Sequence, residues 1–231
     1  MKRIPIKKVS ILVCILAIPG FLFFYLLPKF AKNRYKSLPI FGEKFVAKST
    51  HTVRGKQIPD TIYHQVPDLQ FVNQKSDSLS WKNYQGKIIV INLFYTKSPI
   101  TQVNASIADL AEYYDKNSLV NFISLNIDPK DSLAQIAAFA DQQKAKAGKW
   151  DLVTADTAMS YPFIRKGLLL DVVAVKGEES KFIYGNQILL LDNQHRIRGF
   201  YEATNAEAVS KLDDEIKVLI AEDLRNIKDG R

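Results

Sequence analysis

The stretch FYTKSPITQ, Phe94 to Gln102, holds most of what this chain could use for chemistry. It follows the apolar run IIVINLFY and precedes a helix-like pattern that begins near Asn104. A buried strand turning sharply into a helix is a common seat for a reactive group in α/β proteins. Here the turn offers Lys97, Ser98, Pro99, Thr101 and Gln102, and no thiol. Ser98 as a nucleophile would need a base and an oxyanion hole. No G-x-S-x-G surrounds it, and no histidine lies where the fold would bring one close. Lys97 is expected to point into solvent, and Ser98 to cap or line the turn.

The remaining donors narrow the chemistry further. Cys14 is the only cysteine, so the chain alone forms no disulfide, no Cys-x-x-Cys pair and no cysteine zinc site. Disulfide exchange and peroxide reduction need a thiolate and are excluded with it. His51, His64 and His195 are expected at the surface, the last in a hairpin turn. Met1 and Met159 are the only methionines, too few for a thioether site. Asp128 and Asp131 could suggest a hard-metal site. They read better as a turn and a helix cap, with Asp131 or Ser132 as the N-cap. The chain is therefore read as no enzyme, with no cofactor and no metal.

The elements that must position this turn lie in a chain of 231 residues with a net charge of +8. Residues 1–36 hold eight Lys or Arg and no acid; the remainder balances 24 basic against 24 acidic residues. The excess flanks the uncharged run VSILVCILAIPGFLFFYLLP, Val9 to Pro28, and not a surface suited to nucleic acid. About 20 residues of helix cross a bilayer core of roughly 30 Å. A cleaved signal peptide is the alternative, but Lys29 stands where a small residue belongs in LPKFAKN. A lipoprotein cysteine is disfavoured by bulky Val13 before Cys14. The reading is a basic tail over 1–8, a retained anchor over 9–28, a connector over 29–57 and a folded domain over 58–231. The basic side chains balance across the anchor, and only the terminal amine tips the N-terminus inwards.

Within the domain, VPDLQFVNQ alternates enough for an edge strand or hairpin. The unbroken run IIVINLFY suits a strand covered on both faces. Apolar residues at Ile107, Leu110, Ala111 and Tyr114 give a helix, and LVNFISLNID gives the next strand. A helix follows in DSLAQIAAFADQQ, a short strand in KWDLVTAD and a helix over 157–167. NQILLLDNQHRIRGFYEA reads as two strands about a polar turn, and NAEAVSKLDDEIKVLIAEDLRN as a last amphipathic helix. This order predicts an α/β fold, a central mixed sheet with helices on both faces.

Several segments resemble one family in order and spacing: LPIFGE, VPDLQFVNQ, YQGKIIVINLFYTKSP, SLNIDPKDS, KAGKWDLVTAD and ILLLDNQHRIRGFYEAT. Together they make about residues 38–222 similar to the SCO/SenC group. These are membrane-anchored, thioredoxin-like proteins associated with copper delivery to cytochrome c oxidase. The resemblance implies a thioredoxin-like fold on the outer, periplasmic side of a membrane. It also implies a copper site made by two cysteines after the strand and a histidine before the closing hairpin. Those positions fall on Ser98, Gln102 and Tyr184, so the family's scaffold and its neighbouring Pro99 remain while all three ligands are gone. Hydroxyl, amide and phenol are hard, weak donors for copper(I). The implied reading is a non-catalytic relative, acting through an unknown protein partner in respiratory-complex assembly or envelope maintenance. Two others stay open: a biogenesis factor whose partner supplies the copper ligands, or an enzyme with new chemistry at the Ser98, Gln102, Tyr184 pocket.

Overall fold

The computed structural model describes residues 15, 17–26, 37–53, 56–98, 102–175 and 181–229. The chain forms two compact units, Met1–Lys36 and Ser37–Arg231. In the first unit residues 17–26 are helical, ending in a π-helical turn over Leu22–Leu26. Much of the run read as an anchor lies outside the described residues. Among the described residues no helix is long and apolar enough to cross a membrane.

The second unit runs β1 (Lys44–Val53), β2 (Lys56–Tyr63), β3 (Gln70–Asn73), β4 (Ser78–Ser80), β5 (Ile88–Phe94), α1 (Gln102–Tyr113), β6 (Val120–Asn126), α2 (Leu133–Gln142), β7 (Trp150–Thr154), α3 (Thr157–Pro162), β8 (Val172–Ala174), β9 (Phe182–Tyr184), β10 (Gln187–Leu191), β11 (Ile197–Glu202) and α4 (Ala206–Asp229). Seven strands form one mixed sheet in the order β11-β10-β5-β6-β7-β3-β4. β5, β6 and β7 are parallel; β10 and β3 add on either side antiparallel. This is the thioredoxin-like α/β arrangement expected from the sequence.

Every residue of β5 and of β6 is buried. Alternation sends Ile89, Ile91 and Leu93 to one core, with Trp81, Phe163 and Leu168, and Ile88, Val90 and Phe94 to the other. The second core takes Ile107 of α1, Ile136 of α2, and Leu212 and Ile216 of α4. The three long helices thus share one face. The other is covered by the short α3, its continuation through a π-helical turn over Phe163–Gly167, and the 3-10 turn Trp81–Tyr84. Ser132, not Asp131, caps α2: its hydroxyl accepts from Gln135 N–H, and the Gln135 side chain accepts from Ser132 N–H.

Two pairs of strands were not legible in the sequence. β1 and β2 form a separate antiparallel ribbon that straddles the 57/58 boundary between the expected connector and domain. None of its described side chains is buried, which is why its sequence shows no core-facing periodicity. Gly42 turns the chain into the ribbon at φ +97°, and a Cβ there would lie 2.5 Å from the His64 side chain. β8 and β9 form a second small pair. His64 and His195, expected on the surface, are both half-buried. His64 Nε2 lies 2.8 Å from the Gly167 carbonyl, and His195 Nε2 3.2 Å from that of Tyr84. His195 sits at φ 56° and packs its ring against Trp81. The His51 side chain lies outside the described residues.

Arg198 of β11 ties the incoming chain to the domain. It is 3% exposed. Its guanidinium pairs with Asp192 at 3.0 Å and Glu222 at 3.2 Å, and donates to the carbonyls of Leu38 and Pro39. Removing one partner of a buried ion network leaves uncompensated charge, at a cost of about 3–5 kcal/mol. Arg198→Ala is therefore expected to lower the unfolding free energy by that amount, seen as a lower urea midpoint with an unchanged slope. A loss under ~1 kcal/mol, the range of surface pairs, would show that the network contributes little.

Candidate functional site

The site grows from the C-terminal ends of β5 and β6. After β5 the backbone turns at once, with the Ser98 N–H donating to the Tyr95 carbonyl at 3.1 Å. Asp131 holds this turn from the next loop. Its carboxylate accepts from Thr96 N–H at 2.8 Å and from Thr96 Oγ1 at 2.5 Å. The loop after β6 is itself fixed: Ile127 N–H donates to the Phe94 carbonyl, and Asn126 Nδ2 to the Asp128 carbonyl. Asp128 is buried and accepts from Lys130 N–H through Oδ1, while Oδ2 has no protein partner. The Tyr161 hydroxyl donates to the Ile127 carbonyl at 3.1 Å. Burial first, and then the Asp128 charge, raise the Tyr161 pKa above the ordinary phenol range.

The β8–β9 pair brings the opposite wall. Tyr184 ends β9, and its hydroxyl lies 3.0 Å from Ser98 Oγ. Either oxygen can donate. Buried Tyr95 packs edge-on to Phe182 at 5.3 Å and to Tyr184 at 5.9 Å. These contacts set the hairpin over the turn, so residues 86 apart in the chain meet through two hydroxyls. Burial pushes the Tyr184 phenol up, and the Ser98 hydrogen bond partly offsets it.

Two of the three positions singled out by the resemblance, Ser98 and Tyr184, are therefore brought together. The third is directed elsewhere: Gln102, the first residue of α1, is exposed and donates from Nε2 to the Thr204 carbonyl at 3.3 Å. Lys97 is exposed. Pro99 and Thr101 lie outside the described residues. Sequence reasoning missed Tyr95 and Phe182, which aim the Tyr184 ring, and read Asp131 as a helix cap when its carboxylate holds Thr96. The only signal for Asp131 was its short distance from Asp128 in DPKDS.

Among the described residues the arrangement brings together the hydroxyls of Ser98 and Tyr184, with no histidine in contact with either. His64 and His195 are engaged at Gly167 and Tyr84, away from this turn in their contacts. Among the described residues no cluster of three or more His, Cys, Asp or Glu is placed to hold a metal. A cleft of about 570 Å³ lies at the other end of β5 and β6, beside Lys87, Val120, Lys149 and Asp151. Its polar groups are engaged internally: Asp151 accepts from Tyr84 OH and Asn73 Nδ2, and Lys149 Nζ donates to the carbonyls of Asn117 and Val120. Size alone does not make it the chemical site.

No protein-family model matches the chain, and no curated protein does. Solved structures do. A SCO1/SenC family lipoprotein from Bacillus anthracis superposes with a TM-score of 0.62 at 20% identity, covering 68% of this chain and 95% of that one. BsSco, described as a member of the Sco family of cytochrome c oxidase assembly proteins with a disulfide switch, gives 0.59 at 19%, over 68% and 93%. ScoI from Bradyrhizobium japonicum, solved with copper bound, gives 0.53 at 19%, over 65% and 98%. The unit Ser37–Arg231 thus has the thioredoxin-like fold of these Sco proteins.

Two outcomes test the site. Asp131→Ala strands the Thr96 N–H and is expected to cost about 1–3 kcal/mol by urea unfolding, more than Tyr184→Phe at about 0.5–1.5 kcal/mol. The reverse order would show that the turn is not held by Asp131. Ser98→Ala removes the hydrogen bond that lowers the Tyr184 pKa, so the phenol is expected to titrate at still higher pH, read by NMR of its ring carbon. A raised phenol pKa contributes stability that is present at neutral pH and lost as pH rises through the folded value. A downward shift in Ser98→Ala would contradict the contact.

Proposed function

We propose that this chain is a membrane-anchored SCO/SenC-like protein whose thioredoxin-like domain acts through protein contacts, with neither copper binding nor thiol exchange. The observation that carries this reading is the 3.0 Å contact of Ser98 Oγ with Tyr184 OH. Two positions to which the resemblance assigns copper ligands stand side by side, on the turn after β5 and on the β8–β9 pair. Both carry oxygen in place of sulfur and imidazole. The third, Gln102, is an amide bonded to Thr204. Such a donor set does not fit copper(I), a soft ion that favours thiolates and imidazole. The only cysteine, Cys14, lies in the N-terminal unit, within the hydrophobic run.

The likeness to a SCO1/SenC lipoprotein and to cytochrome c oxidase assembly proteins supports a place in respiratory-complex assembly or envelope maintenance. The uncharged run Val9–Pro28 with basic flanks supports a single-pass anchor, the domain facing the periplasm. A partner protein in the same membrane would read the domain's surface.

Copper(I) titration against a chelator of known affinity tests the reading. The natural protein is expected to leave the chelator loaded. The variant Ser98→Cys, Gln102→Cys, Tyr184→His is expected to withdraw copper from it, because the scaffold then supplies two thiolates and an imidazole. Tight binding by the natural protein would overturn the non-binding reading. No binding by the variant would mean that the three positions do not map onto a metal site.

A further inference from the structure

The β1–β2 ribbon has no place in the site, yet it is the largest piece of the domain that buries nothing. Isolated two-stranded ribbons are marginal in water and gain stability by laying a face against something. Register pairs Phe45 with Ile62, and Ile58 shares the face of Ile62 because it lies four residues before it in the same strand. All three are exposed, at 58%, 55% and 42% for Phe45, Ile62 and Ile58. Over residues 44–63 the charges are Lys44, Lys48, Arg54 and Lys56 against Asp60 alone.

Strand addition from a partner is discouraged on both edges. The register of β1 breaks between Val46 and Thr50, where Lys48 falls. β2 carries Pro59, which has no N–H to donate. Bulges, lysine and proline are the usual guards of an edge strand. Two copies laid face to face would also bring together two basic ribbons. What remains is a largely apolar face, with Asp60 between Ile58 and Ile62 as its one acid, in a basic setting, the combination that binds an anionic lipid surface. At its base the Tyr63 ring has Lys44 Nζ at 5.7 Å and the Arg196 guanidinium at 5.9 Å from its centroid.

We infer that the β1–β2 ribbon is a membrane-interface element, its Phe45, Ile58 and Ile62 face resting on anionic lipid with its basic residues at the headgroups. The anchored reading enters only through the tether. Fifteen residues separate Pro28 from Lys44, a span of at most about 50 Å, which keeps the ribbon at high effective concentration near the bilayer.

Amide hydrogen exchange of the full-length protein tests this, after incorporation into vesicles of phosphatidylcholine alone or mixed with phosphatidylglycerol. Exchange over residues 44–63 is expected to slow by about tenfold in the mixed vesicles only, and to recover at high salt. It should also recover in Phe45→Ser/Ile62→Ser and in Lys48→Glu, whose exposed positions leave domain unfolding unchanged. Equal exchange in both kinds of vesicle would overturn the inference. So would protection that needs no lipid and grows with protein concentration, since a second copy would then be the occupant. Flotation of the protein with phosphatidylcholine vesicles reads the anchor separately. If flotation fails there, protection by added phosphatidylglycerol vesicles still decides for or against the ribbon.

Discussion

The structure depends on two adjacent parallel strands that expose nothing. Each apolar residue of β5 and β6 contributes to one of two cores, and the paired strands carry the helical layer on one side and the aromatic cluster around Trp81 and Phe163 on the other. Burial of apolar surface at about 25 cal/mol per Å² is spread over the whole sheet. The polar groups admitted to this layer are satisfied inside it. Ser124 Oγ donates to Asn92 Oδ1 at 2.6 Å and accepts from Trp150 Nε1 at 2.9 Å, a bonded line across β5, β6 and β7.

This explains how the turn after β5 can hold its shape without relying on the polar groups at its rim. The turn after β5 is positioned by strand burial, by the Asp131 carboxylate on Thr96 and by the aromatic packing of Tyr95 with Phe182 and Tyr184. Strand burial, the Asp131 contact and the Tyr95–Phe182 packing do not depend on the side chains at 98 and 102, and Tyr184 contributes its ring to the packing independently of its hydroxyl. Ser98 and Tyr184 then satisfy each other, where a metal site would need both groups directed at one ion.

The features outside that core point towards contact. The segment from Ser37 is fastened by Arg198, and Phe41 packs edge-on against Phe200. From this fixed base the β1–β2 ribbon projects with both faces open. On the proposed reading these surfaces serve binding, in which affinity comes from surface complementarity.

The sequence by itself determined the central strands, the amphipathic helices and the closing hairpin, because each buries a face and burial writes a period into the chain. It also determined which donors are few: one cysteine, 84 positions before Ser98 in the chain, and three histidines leave little for chemistry. Only the tertiary structure decided where the surviving groups point. Ser98 meets Tyr184 across 86 positions, Gln102 turns to Thr204, and Asp131 holds Thr96, all through contacts that leave no local periodicity. The β1–β2 and β8–β9 pairs were hidden for a related reason. β1 and β2 bury no side chain among the described residues, and β8 and β9 are three residues each, so hydrogen bonding between distant backbones, and not hydrophobic pattern, defines them.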